Sequence, residues 1–225
     1  MPKQMPLPFG VKPALGKSDF IVAPCNEAAF RFIESWPEWP ARAGAIYGPK
    51  GCGKTHLAEV WAERAGATVV PDEDPDAVAF LERLAALDIP IVVDGLHDPS
   101  ERRDRALIAL FERPRGFLLL ADRTPPTEWK VVVGDLRSRF DSLLAFAMWA
   151  SDETLLGGVL RKHFADRQLD IPENMIGRVL ARLERTPEAI AKFVARADSK
   201  ALAEKRGISE RLIQELLEED DNSAR

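Results

Sequence analysis

The sequence predicts an α/β fold: a parallel-sheet base over residues 19–150, a small all-α lid over residues 151–225, and a flexible arm over residues 1–18. Three observations predict it. Short apolar runs alternate with helical spacing through the first part of the chain, the pattern of a parallel sheet with both faces covered. A glycine-rich loop joins the first of these runs to the helix after it. Beyond about Trp149 only helical spacing remains.

The elements follow in order. The first 18 residues, rich in Pro, Gly and Lys, read as an arm. Asn26 is placed to cap a helix through Ile33, which the Trp36-Pro37-Glu38-Trp39-Pro40 turn ends. Ala45-Ile46-Tyr47 reads as a strand. Lys54 to Ala65 has helical spacing, with Gly66 as its stop. Thr68-Val69-Val70 is a second strand. Pro75 to Leu87 is a helix with Asp74 as cap. Ile89 to Val93 is a third strand, Pro99 to Glu112 a helix, and Phe117 to Ala121 a further strand. Four helices follow: Ser151 to Gln168, Glu173 to Leu183, Pro187 to Ala197, and Ser209 to Glu219. The acidic end, Glu218-Glu219-Asp220-Asp221, reads as a solvated tail.

Composition bounds the function. The 225 residues are 46% hydrophobic, enough for one sizeable core with a small appendage. The net charge of −5 argues against a broad DNA-coating surface. Arg102, Arg103 and Arg105 are the basic run that could meet DNA or a protein, or simply solvate a face. Two cysteines, Cys25 and Cys52, and three histidines complete no zinc spacing. The start has no apolar leader and no run is long enough to span a bilayer, so cytoplasmic placement without membrane contact is expected.

Gly48-Pro49-Lys50-Gly51-Cys52-Gly53-Lys54-Thr55 matches G-x-x-x-x-G-K-S/T at every fixed position. Glycines let backbone N–H groups curl around phosphate oxygens, and the helix starting near Lys54 turns its positive end to the anion. Lys54 supplies a charge for the outer phosphates, Thr55 a hydroxyl for Mg²⁺, and His56 follows directly. Cys52 holds a variable position of the loop and reads as packing. The cofactors expected are therefore ADP or ATP with Mg²⁺. Asp94 ends an apolar strand and is the second metal candidate, against the plain reading of a strand-end aspartate. Gly95 follows where a second acid would polarise the attacking water, so slow intrinsic hydrolysis is expected.

Asp19-Phe20-Ile21-Val22 with Asn26, Gly53-Lys54-Thr55-His56-Leu57-Ala58, and Leu136-Arg137-Ser138-Arg139-Phe140 together resemble the AAA+ module of the bacterial replication initiator DnaA. The Trp36-Pro37-x-Trp39-Pro40 turn and Leu118-Leu119-Leu120 with Thr124-Pro125-Pro126 look most like the Hda/HdaA family, regulators that inactivate DnaA. The resemblance runs from about residue 19 to the end. It implies that Arg139 is an arginine finger reaching a neighbour's nucleotide, and that Asp122 is the first sensor. Asp122 also reads as a simple capping residue, and Arg137 and Arg139 as residues that merely solvate a loop. The family's second sensor, a lid arginine, falls on Glu188, leaving Arg185 or Lys192 to substitute. With Gly95, this departure puts ATP-versus-ADP discrimination in doubt and leaves binding itself intact. DnaA continues into a DNA-binding domain, which this chain is expected to lack, so DNA contact is expected only indirectly.

Gln4-Met5-Pro6-Leu7-Pro8-Phe9 fits the Q-x-x-L-x-F pattern of peptides that bind the sliding clamp. Gln4 can hydrogen-bond through both ends of its amide, Leu7 and Phe9 are apolar anchors, and the prolines lower the ordering cost. The resemblance places a clamp motif at this end. The implied function is a regulator that binds the DNA-loaded sliding clamp and promotes hydrolysis of DnaA-bound ATP. The alternatives are a stand-alone AAA+ ATPase, such as a DnaC-type helicase loader, and a DnaA-like DNA-binding regulator. A homodimer is left open.

Overall fold

The structure is a computed structural model and describes residues 20–71, 75–96, 98–150, 152–204 and 206–223. The elements are α1 (Glu27–Glu34), β1 (Ala43–Tyr47), α2 (Lys54–Ala65), β2 (Thr68–Pro71), α3 (Ala77–Leu84), β3 (Ile91–Asp94), α4 (Glu101–Glu112), β4 (Leu118–Asp122), α5 (Gly134–Asp141) and β5 (Leu144–Ala147). The lid follows as α6 (Glu153–Ala165), α7 (Glu173–Leu180), α8 (Pro187–Glu204) and α9 (Glu210–Ser223).

The five strands pair in the order β2-β3-β4-β1-β5, all parallel. Side chains alternate across the pleat, so each face collects its own core. Ile46, Val92, Leu119 and Ala121 pack with Phe32 and Ile33 of α1 and Leu57, Ala58 and Trp61 of α2. Ala45, Ile91, Val93, Leu118 and Leu120 pack on the other face with Leu81, Leu107, Leu110, Leu136 and Phe140 of α3, α4 and α5. This accounts for the near-continuous apolar strands, which are buried on both sides. A separate core fills the lid around Leu160, Phe164, Phe193, Val194, Leu212 and Ile213.

Several local expectations change. Asn26 stands at the N-cap of α1 without a side-chain cap bond. Its carboxamide instead accepts the Ala23 N–H at 2.9 Å and donates to the Ile21 carbonyl at 3.0 Å, stapling the entering chain. α3 begins at Ala77 behind Asp76, and Asp74 lies outside the described residues. Two elements went unassigned from sequence: α5, and the edge strand β5 that pairs with β1. α8 runs seven residues past Ala197 and α9 runs to Ser223, so Glu218 and Glu219 are helical, and Glu219 pairs with Lys200.

The basic run on α4 is not a face. Successive helical residues point about 100° apart, and Arg103 turns inward, 2% exposed beside the fully buried Asp104. Arg102 forms a two-point pair with Glu82, and Arg105 pairs with Glu101.

The Trp-Pro turn folds back over the first core. Trp39 donates its indole N–H to the Phe32 carbonyl at 2.8 Å and stacks on Phe32 and Trp61. The turn therefore does more than end a helix: it roofs one side of the sheet next to α2.

Candidate functional site

The phosphate loop leaves the C-terminal end of β1, between β4 and β5. The parallel register brings Tyr47 level with Asp122 and Asp94 level with Ala121, so the ends of three strands meet there. Gly48 donates its N–H to the Asp122 carbonyl at 3.1 Å.

The loop's glycines are required by contact as well as by backbone angle. A Cβ on Gly48 would lie 1.9 Å from the Met148 carbonyl oxygen. Gly51 has φ +79°, and its Cβ would lie 2.7 Å from the Thr186 methyl of the lid. Gly53, at φ +97°, forms the N-cap of α2. Pro49 and Lys50 are exposed at the tip, and Cys52 is buried beneath it. The Cys52 thiol is pushed up by burial, against the lowering pull of the Lys54 ammonium, which suits packing and not nucleophilic chemistry.

Lys54 opens α2 and turns its ammonium back into the loop, donating to the Gly48 and Pro49 carbonyls at 2.8 and 3.0 Å. Thr55 donates its hydroxyl to Asp94 Oδ2 at 2.6 Å. The two metal candidates, 39 positions apart in sequence, are thus adjacent in space. A hydroxyl and a carboxylate on one small patch beside a cradle of N–H groups form a donor set that fits Mg²⁺ held with phosphate oxygens. His56 meets Phe20 edge-on, with ring centres 5.3 Å apart.

Gly95 follows Asp94 at φ +94° and donates its N–H to the Ala121 carbonyl. That backbone angle strains any residue with a Cβ, so an acid does not sit easily there. One acid was missed. Glu59, one turn after Thr55 on α2, is raised by burial and then by the Asp94 charge, which places it on the same patch. The only sequence signal for it is the four-residue spacing from Thr55.

Asp122 lies at the sheet edge beside the loop, and its carboxylate accepts the Arg123 N–H at 2.5 Å.

Arg139 lies elsewhere. α4 ends at Glu112, just before β4 begins, and α5 ends just before β5 begins, so both ends lie at the N-terminal edge of the sheet. Arg139 donates there to Glu112 at 3.0 Å and to Asp135 at 3.2 and 3.3 Å. Four- or five-residue strands at ~3.3 Å per residue put about 15 Å of sheet between it and the phosphate loop. Arg137 is not a solvated loop residue. It donates to the Trp129 and Pro126 carbonyls, pairs with Asp141 and covers the Phe140 ring, so it fixes the start of α5.

In the lid, Arg185 pairs with Glu153 at 3.8 Å, and Thr186 caps α8 through the Ala189 N–H. The end of α8 that carries Glu188 therefore abuts the phosphate loop through Thr186 and Gly51. Gln4, Leu7 and Phe9 lie outside the described residues. No described helix is long and apolar enough to cross a membrane.

No family model matches the chain. It is 30% identical over 169 residues to the chromosomal replication initiator protein DnaA of Caulobacter vibrioides, covering 64% of this chain and 34% of that protein. It is 26% identical over 184 residues to DnaA of Deinococcus deserti, covering 70% and 40%. The matched region therefore spans well under half the length of these relatives. Among solved structures, domain III of the Thermotoga maritima replication initiation protein DnaA matches 92% of this chain and 97% of its own, with TM-score 0.71 and 14% identity. The replication initiator DnaA bound to AMPPCP and single-stranded DNA matches 87% and 69%, with TM-score 0.66 and 18% identity. The fold is that of domain III of DnaA, and the sequence is similar to DnaA over 169 to 184 residues.

Proposed function

We propose that this DnaA-like AAA+ chain is a regulator of the Hda/HdaA type that promotes hydrolysis of ATP held by DnaA, tethered through Gln4, Leu7 and Phe9 to the sliding clamp. The observation that carries the reading is the position of Arg139 at the sheet edge opposite the phosphate loop. An arginine there lies about 15 Å from the phosphate loop of its own chain, and on this reading it serves a neighbour's nucleotide.

On this reading the chain's own nucleotide, ADP or ATP, lies in the cradle of Gly48 to His56. The Lys54 ammonium leaves neutral carbonyls for phosphate oxygens, a stronger charge-assisted contact. Thr55 and Asp94 would hold Mg²⁺, which would neutralise phosphate charge. Asp122 borders the same edge as the sensor-position residue. Gly95 supplies no side chain to orient water, so intrinsic turnover is slow. The partner's ATP is the substrate. The Arg139 guanidinium donates to phosphate oxygens as charge spreads onto them, a contribution of about 10³–10⁵ in rate for such fingers. Tethering to the clamp raises the local concentration of the two partners.

The test has two arms. Arg139→Ala is expected to reduce stimulation of DnaA-bound ATP hydrolysis to background while the chain still binds ADP. Full stimulation by that variant would sink the mechanism. Replacing Gln4, Leu7 and Phe9 together by alanine is expected to abolish micromolar binding to the clamp, and unchanged binding would remove the tether.

A second reading, a DNA-binding regulator, draws on the solved DnaA structure with single-stranded DNA. The net charge of −5 and the pairing or burial of Arg102, Arg103 and Arg105 favour the first reading. Tight, salt-sensitive binding of single-stranded DNA by the chain alone would favour the second.

A further inference from the structure

We infer that Glu112 and Asp135 form a latch that masks the Arg139 finger until a partner displaces them. The inference rests on the proposed function above and adds a control element to it.

The geometry is specific. Asp135 lies four residues before Arg139 on α5, the spacing that places side chains over one another on a helix. Glu112 comes from the last residue of α4. Both carboxylates take the same side of the fork. Asp135 Oδ2 accepts from Nε and Nη2, and Glu112 Oε1 accepts from Nη2 as well. No described residue accepts from Nη1. The finger's side chain is 29% exposed, while both carboxylates are 60% exposed.

Charge decides what this arrangement does. One guanidinium faces two carboxylates, so the cluster presents a net formal charge of −1 to an approaching triphosphate. A bare finger would present +1. A nucleotide phosphate must therefore take Nη2 away from two acceptors already bound to it. The exposure of both carboxylates keeps the pairs weak enough to break, since solvent screens them. A neighbour that brings anionic phosphate, and a cation of its own for the released acids, opens the latch. A free chain keeps it closed.

The test compares five proteins in one assay, hydrolysis of ATP preloaded on DnaA, with clamp loaded on DNA. They are the parent, Glu112→Gln, Asp135→Asn, Arg139→Ala and the Glu112→Gln/Arg139→Ala double variant. Glutamine and asparagine keep an acceptor oxygen and remove the charge, and both positions are surface-exposed, so the fold is retained. Each charge-neutral variant is expected to stimulate about threefold more than the parent, a size typical of an exposed ion pair. The gain is expected to shrink as salt is raised, because screening weakens the parent's latch too. Glu112→Gln combined with Arg139→Ala is expected to be as inert as Arg139→Ala alone. Stimulation equal to or below the parent in both charge-neutral variants, with Arg139→Ala inert, overturns the latch and leaves the finger standing. Full stimulation by Arg139→Ala overturns the finger and the latch with it.

Discussion

Asp104→Ala tests how α5, the helix that carries Arg139, is held. Asp104 is fully buried. Its carboxylate accepts from Arg103 Nε at 2.9 Å and from Arg103 Nη2, and from the backbone N–H groups of Val132 and Val133 at 2.5 and 2.9 Å. Arg103 also donates to the Leu96 and Lys130 carbonyls, so one adjacent pair on α4 grips the whole approach to α5. Removing one partner of a buried ion pair costs about 3–5 kcal/mol. The carbonyls that Arg103 keeps pull the value to the low end. Two backbone N–H groups lose their acceptor, each costing about 1 kcal/mol where water can reach. The sum is about 5 kcal/mol, or roughly 10–20 °C in melting temperature for a chain of this size. Calorimetric melting of Asp104→Ala beside Arg105→Ala is the assay. Arg105 pairs with Glu101 on the solvent side of the same helix, and its loss is expected to move the midpoint by about 1–2 °C. A shift under about 3 °C for Asp104→Ala would refute the argument that this pair clamps the loop. A functional readout goes with it: stimulation of the partner is expected to fall although Arg139 is intact, while ADP affinity at the far edge is kept.

Two further outcomes are expected. Lys54→Ala should weaken ADP binding by about 10- to 100-fold, the loss of a charged hydrogen-bond donor, with little change in melting temperature; fluorescent-ADP titration checks it, and parental affinity would reject the phosphate-loop reading. Arg211 and Arg206 beside Glu215 hold its carboxyl down to about 2 from 4.5. A depressed carboxyl stabilises the fold above the unfolded value and loses that contribution as pH falls. The melting difference between the parent and Glu215→Gln should therefore be full at pH 7 and shrink from 4.5 towards 2, and a pH-independent difference would reject the ionic origin.

Legibility followed how local each signal was. The phosphate loop could be read because its chemistry fixes residues at set spacings, and β1, β3 and β4 because burial on both faces writes itself as apolar runs. α5 was not read as a helix: in eight residues only Leu136 and Phe140 are buried, one stripe amid charges. β5 is a four-residue edge strand with no fully buried residue, so tertiary pairing with β1 and not local pattern defines it. Arg102, Arg103 and Arg105 look alike in sequence, and only the helix phase sends Arg103 inward to Asp104. Glu59 feels the Asp94 charge because α2 packs against β3, and the four-residue spacing from Thr55 is its only trace in the sequence.

The two ends of the sheet do separable work, and this follows from strand direction. A parallel sheet places every strand-to-helix turn at one edge and every helix-to-strand turn at the other. The phosphate loop, Asp94 and Asp122 are all strand ends, and so they converge. Arg139 stands near a helix end, and so it is carried to the opposite edge, beside the end of α4. A defect at one edge need not impair the other. On the proposed function, Gly95 leaves the chain a poor hydrolase of its own nucleotide while Arg139 keeps full value for a neighbour. On the proposed reading, nucleotide on this chain is then chiefly a ligand that joins the loop at Gly51 to the lid at Thr186. Its contribution is stability that rises with the logarithm of its concentration over its dissociation constant, and turnover is not needed for it.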